Sequence, residues 1–258
     1  MRSLARAIFL FCLFWGYPVQ AGTIEEIVQK ADLAIRGETS AALFEMEIKT
    51  ASYVRRFKVV SWDDSRAEER MLIKILGPAL WRGFGTLKIG PQLKLYNPRS
   101  NHVTVVGNSM LGDSWMGSHF SNDDLVKETK LAHHFHCKVL KKWPGQTESG
   151  KHATFYNIEL RPKPTAPVAW GKIVYQVWEQ NDLVMPIRAE YFQKTDHKKP
   201  VRWMTFSEVK HLGGRLVPSK FKIELASKTG EYTQIVYQKL KFDVAIPSTK
   251  FTEQELRR

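Results

Sequence analysis

The hydrophobic pattern changes period once, near the start of the chain. In residues 23–36, Ile24, Ile27, Val28, Ala31 and Ile35 recur at helical spacing. Thr23 and Glu26 form a capping-box pair and Gly37 supplies a stop, so an amphipathic helix is predicted that needs a partner surface. From residue 43 the period is two. Phe44, Met46 and Ile48 alternate with Glu45, Glu47 and Lys49. After a turn at Ala51 and Ser52, Phe57 and Val59 continue the same face. Asp63, Asp64 and Ser65 read as a second turn, and Met71, Ile73 and Ile75 then point inward.

Gly77-Pro78 breaks the run, and strands over 81–89, 93–96 and 102–106 follow, with Leu93 and Leu95 on the pattern. Gly83 and Gly85 inside the first of these predict a bend or a close backbone approach. After a break the strands resume over 133–140, 152–161, 170–180, 185–193, 202–209, 217–226 and 232–242. These carry Ile173 and Tyr175, Met204 and Phe206, then Phe221 and Ile223 on matching faces. Phe251 and Leu256 close the chain on one expected helical turn. Eleven to twelve strands in succession, with no helices between them, predict one mainly β domain. Its form is a single antiparallel sheet curled into an open barrel. The apolar face named above would line its concave side, with the N-terminal helix and a mid-chain segment covering it.

That mid-chain segment is 115–125. Trp115, Met116 and Phe120 lie beside Gly112 and Gly117, which gives an apolar loop with backbone hinges. Ser121 and Asp124 then form a second capping pattern. A buried loop would explain these residues, and so would a plug or lid over an apolar cavity. The strand blocks on both sides favour the plug.

The first residues change the picture of where the fold works. Arg2 and Arg6 precede a short apolar run, and Val19-Gln20-Ala21 supplies small residues at a cut site. This is the pattern of a cleavable signal peptide over 1–21, with the working domain over 22–258 and the periplasm as destination. Removing Arg2 and Arg6 lowers the formal net charge from +13 to +11. That charge suits an anionic membrane surface; export argues against nucleic acid as a partner. Cleavage also removes Cys12 and leaves Cys137 alone, so no internal disulfide is expected.

Catalytic motifs are missing. There is no Gly-x-Ser-x-Gly, His-Glu-x-x-His, phosphate loop or paired-cysteine motif. His133, His134, His136 and Cys137 form the densest cluster; on a strand His134 and His136 would share a face and could bind Zn²⁺ with His152. A polar edge strand explains them better. Asp63-Asp64 and Asp123-Asp124 sit at turn or cap positions, where Asp has a local role. No enzyme activity, metal or cofactor is expected. Methionines and tryptophans spread along the strands suit an adaptable cavity for an acyl chain.

Arg82-Gly83 after Gly77-Pro78, then Leu95-Tyr96-Asn97-Pro98, then the run from Ser114 through Trp115-Met116-Gly117-Ser118 to Asp123-Asp124-Leu125 resemble the outer membrane lipoprotein-sorting protein family. These are LolA-like periplasmic proteins, kin to LolA and LolB. The resemblance implies an unclosed barrel of about eleven strands with a helical lid and binding of acyl chains of a lipoprotein or lipid. It also implies partnership with an inner-membrane transporter. Arg82 is the nearest match to LolA's lid-anchoring arginine. The expected function is a monomeric carrier of acylated cargo. The alternative is an accessory module that docks on an exporter, carries nothing and fills the pocket with its own side chains.

Overall fold

The computed structural model describes residues 23–126, 131–164, 166 and 168–258. Helix α1 (Ile24–Arg36) has the expected capping box. The Glu26 amide donates to Thr23 Oγ1, and the Thr23 amide to the Glu26 carboxylate, both at 3.2 Å. Gly37 ends the helix at φ 65°, its N–H donating to the Leu33 carbonyl at 2.9 Å. The first strands are β1 (Thr39–Lys49), β2 (Val54–Asp64), β3 (Arg70–Gly77), β4 (Gly85–Ile89), β5 (Gln92–Asn97) and β6 (His102–Val105). Two short helices follow, α2 (Asn122–Val126) and α3 (Leu131–His134). Then come β7 (Phe135–Gln146), β8 (His152–Pro162), β9 (Lys172–Gln180), β10 (Leu183–Phe192), β11 (Arg202–Leu212), β12 (Arg215–Leu225) and β13 (Tyr232–Phe242), and α4 (Glu253–Arg257) closes the chain.

All thirteen strands form one antiparallel sheet, in the order β6-β5-β4-β3-β2-β1-β13-β12-β11-β10-β9-β8-β7. The count exceeds the eleven to twelve expected. The order explains the mid-chain segment. Chain progress runs outward from β1 to the β6 edge, then resumes at the opposite edge, β7, and runs back until β13 pairs with β1. In sequence, the segment between β6 and β7 therefore runs from one sheet edge to the other.

The register sets the concave face. Met46 lies opposite Phe57 and Ile235, and Phe44 opposite Val59 and Tyr237. On one side the face continues through Ile75, Ile73, Thr86 and Leu95. On the other it continues through Phe221, Phe206, Ile223, Met204, Ala189 and Tyr175. Two apolar clusters share it. One joins β1–β3 to Trp115, and the other joins β8–β12 to α1 through Ile27, Val28 and Ala31. A third lies on the convex side, where Phe251 and Leu256 of the closing segment cover Leu72, Leu87 and Tyr96. There Gly85 gives the close approach its position predicts: a Cβ would sit 2.7 Å from Leu256 Cδ1.

Some boundaries differ from the sequence reading. Residues 79–81 form a 3-10 turn, so β4 starts at Gly85, with Gly83 at φ 88° in the preceding turn. Asp63 and Asp64 end β2 rather than forming a turn. His133 and His134 belong to the helical turn α3 and strand β7 starts at Phe135, so these two histidines do not share a strand with His136. The expected signal peptide, 1–21, lies outside the described residues.

Candidate functional site

The site is built where the edge-to-edge connection crosses the concave face. Trp115 turns inward at 3% exposure, its indole N–H donating to Thr86 Oγ1 of β4 at 3.0 Å. A tight reversal holds it there: Ser114 bridges Ser121, and the Trp115 amide donates to the Phe120 carbonyl at 2.8 Å. The reversal needs two left-handed residues in succession, Met116 at φ 53° and Gly117 at φ 71°. A Cβ on Gly117 would meet Arg55 Nη2 at 2.6 Å, so a larger residue would also have to move that guanidinium. Arg55 is held over the rings of Tyr53 and Trp81.

His119 ties the segment to β13. Its amide donates to Thr233 Oγ1 at 2.9 Å, and Nδ1 lies 2.9 Å from the same oxygen. The other ring nitrogen, Nε2, lies 3.7 Å from Glu231. Burial, with the Lys228 ammonium nearby, holds His119 below the usual histidine range.

Ser121 and Asp124 cap α2 as their spacing predicts. The Ser121 amide donates to Asp124 Oδ2 at 2.8 Å, and the Asp124 amide to Ser121 Oγ at 3.2 Å. The same Oδ2 accepts from Arg202 Nη1 of β11 at 2.6 Å. Arg202 is buried, its guanidinium 4.4 Å from the Trp170 ring centre and 4.5 Å from that of Tyr191. Arg202 is thus the arginine that anchors the segment. Arg82 is not. It is exposed on the rim, where its Nε donates to the Leu76 carbonyl at 3.1 Å.

The concave face is divided. On the β1–β3 side Phe44, Met46, Ile48, Phe57, Val59, Ile73 and Ile75 are buried against Trp115, with Met71, Leu95 and Met116 packed on the cluster. Leu93 is buried on β5, and Ile223 on β12. Trp115 therefore fills this half. On the other half a cavity of about 200 Å³ remains between α1, the connection and β9–β11. Ile173, Tyr175, Met204 and Phe206 line it, with Phe120 at its edge, and Phe221 packs behind them. The sequence reading missed Trp170, Tyr191 and Arg202, and missed Asp32 and Arg36 on the polar flank of α1, which also line it.

Outside this cavity the candidate chemistry takes structural roles. Asp64 accepts from Arg66 and Arg70, which hold its carboxyl well below the usual range. Burial pushes the Cys137 thiol up to about 11, the opposite of an activated nucleophile. His133 and His134 stack edge to face at 4.7 Å. Among the described residues no three His, Cys, Asp or Glu side chains are placed to hold a metal ion.

The model of a family of uncharacterized proteins matches residues 67–258. No curated protein matches. A DUF1329 family protein from Desulfovibrio piger superposes with a TM-score of 0.74 at 20% identity, covering 90% of this chain and 97% of that one. An outer membrane lipoprotein-sorting protein domain from Vibrio parahaemolyticus gives 0.70 at 19%, covering 91% and 98%. A LolA superfamily protein from Nitrosomonas europaea gives 0.70 at 18%, covering 91% and 100%. The open thirteen-stranded sheet is therefore the fold of LolA superfamily proteins, and the chain belongs to the family of uncharacterized proteins whose model spans residues 67–258.

Proposed function

We propose that this protein is an exported, periplasmic carrier that shelters an acyl chain. The carrying observation is the cavity of about 200 Å³ between the connection and β9–β11, lined by apolar side chains of α1, the connection and β9–β11 among others. Burying a chain there gains about 0.8 kcal/mol per CH₂. The likeness to a lipoprotein-sorting domain and to a LolA superfamily protein supports the same reading through the fold. The expected signal peptide would deliver the domain to the periplasm, with transfer of lipoprotein or another acylated lipid as its task.

Contact with an anionic bilayer would serve that task. Tyr53, Val54, Leu76 and Leu80 are exposed at one rim. Arg82 donates to the Leu76 carbonyl and Arg99 to the Leu80 carbonyl, so guanidinium groups flank the apolar side chains.

The accessory-module reading draws on Trp115, which fills the other half of the concave face. Ala189 separates the two. It lies buried on the cavity wall, and Ala189→Leu should fill the cavity. A carrier loses chain binding at unchanged fold; an accessory module keeps its exporter binding and shows no chain binding to lose.

A further inference from the structure

The hairpin connections fall at two ends of the sheet, and the two ends differ in charge. The register puts Lys49 opposite Val54, Asn97 opposite His102, Leu160 opposite Ile173, Tyr191 opposite Arg202 and Ile223 opposite Thr233. Connections 50–53, 78–84, 98–101, 163–171, 193–201 and 226–231 therefore share one end. They carry seven lysines and arginines against two acidic residues, Asp196 and Glu231. The hairpins at the opposite end, 65–69, 90–91, 147–151, 181–182 and 213–214, carry Arg66 and Lys151 against Glu68, Glu69, Glu148 and Asp182. A positive excess that served only solubility would spread over both ends; here it gathers at one.

The cations at the basic end are not neutralised within the fold. Lys194, Lys198, Lys199 and Lys228 are exposed and enter no ion pair among the described residues. Arg82 and Arg99 donate to backbone carbonyls, which leaves their charge uncompensated. At the other end Arg66 pairs with Asp64 at 3.0 Å.

Two further features lie at the basic end. The exposed side chains of Tyr53, Val54, Leu76 and Leu80 are there, on the half of the sheet around β2–β4. The cavity reaches it on the other half, where Val168, Ala169 and Trp170 of connection 163–171 and Arg202, the first residue of β11, line the wall. Apolar side chains among uncompensated cations match the layering of an anionic bilayer, apolar beneath phosphate.

Resting on the carrier reading and its bilayer contact, we propose that the protein docks end-on on an anionic bilayer through this whole end, with connection 193–201 as the electrostatic foothold on the half of the sheet that holds the cavity. Its ligand is the phosphate of anionic phospholipid head groups. Tyr53, Val54, Leu76 and Leu80 supply the apolar contact on the other half. The end of the cavity then faces the layer from which a chain enters.

The test is sedimentation with vesicles of phosphatidylcholine, alone or with about 30% phosphatidylglycerol. The parent should bind only the anionic vesicles. Binding should fall as the screening length shrinks from about 10 Å at 0.1 M salt to about 3 Å at 1 M. Lys194→Gln, Lys198→Gln and Lys199→Gln together should weaken it roughly tenfold or more. The same charge is removed elsewhere by Lys151→Gln, Lys239→Gln and Lys241→Gln, all exposed and toward the opposite end. That variant should stay within about twofold of the parent. Thermal melts check that both fold, and uptake of a fluorescent fatty acid from solution should be unchanged in both. Equal losses in the two triple variants would assign the binding to net charge and overturn the proposal. Undiminished binding by the 194/198/199 variant, or a parent that ignores anionic vesicles, would also overturn it. In each case the carrier reading stands if the parent still takes up the fatty acid, and falls if it does not.

Discussion

Asp124 and Arg202 meet at 2.6 Å, joining the cap of α2 to the first residue of β11. They are 78 residues apart in the chain, and both are largely buried. The pair fixes the edge-to-edge connection to the far half of the sheet, while Trp115 fixes it to β4 on the near half. Breaking a buried pair by removing one partner typically costs about 3–5 kcal/mol. Arg202→Met should lower stability toward that range, because it leaves the Asp124 carboxylate buried without its cation. A denaturant midpoint shift near zero would show that the pair does not hold the connection.

Trp115 is buried in the cluster that fills the near half of the concave face. Trp115→Ala should cost about 3–5 kcal/mol, the range for a large core truncation. Trp115→Phe keeps most of the volume and removes only the indole bond to Thr86, for a cost of about 1 kcal/mol. Urea denaturation of both measures this. A large loss of lipid affinity with unchanged stability in Trp115→Ala would make the residue a lid instead.

Two groups, Asp63 and His119, make stability depend on pH with opposite signs. Burial raises Asp63 from 3.8 to about 6, so the fold binds its proton more tightly than the unfolded chain. Its contribution is fully present below 3.8 and is lost as pH rises through about 6. His119 is lowered from 6.5, so its contribution is present above 6.5 and is lost as pH falls through the lowered value. Asp63→Asn should therefore raise the melting temperature at pH 7.5 and have little effect at pH 4. His119→Gln should flatten the loss on the acid side of pH 6.5. Melting curves across pH 4–8 decide both, and parallel curves for variant and parent would refute the assignment.

The exposed rim makes a separate prediction. Leu80→Asp should reduce sedimentation with anionic phospholipid vesicles severalfold and leave the melting temperature within about 0.5 kcal/mol-equivalent of the parent, since Leu80 is 61% exposed. Unchanged sedimentation would remove this rim as the membrane contact.

Much of the fold was legible because a strand exposes one face and buries the other. The alternation of Phe44, Met46 and Ile48, and of Met71, Ile73 and Ile75, named the concave face directly. The capping pairs Thr23–Glu26 and Ser121–Asp124 were legible because they are local. The cavity was less so. Trp170, Tyr191 and Arg202 converge through pairing of β9, β10 and β11, and no short-range spacing records that. Arg82 misled because an arginine near a glycine turn has the right residue type, but its guanidinium bonds a local carbonyl. The strand reading of His133 and His134 failed because α3 continues two residues further than the alternation suggested.

The central claim is that the cavity between Phe120 and β9–β11 holds an acyl chain. Native mass spectrometry of the protein purified without added lipid, parent beside Ala189→Leu, tests it most directly. The account predicts a bound species carrying one acyl chain on the parent, absent from the equally folded Ala189→Leu. A parent that arrives without lipid and takes up none when offered a fluorescent fatty acid would contradict it.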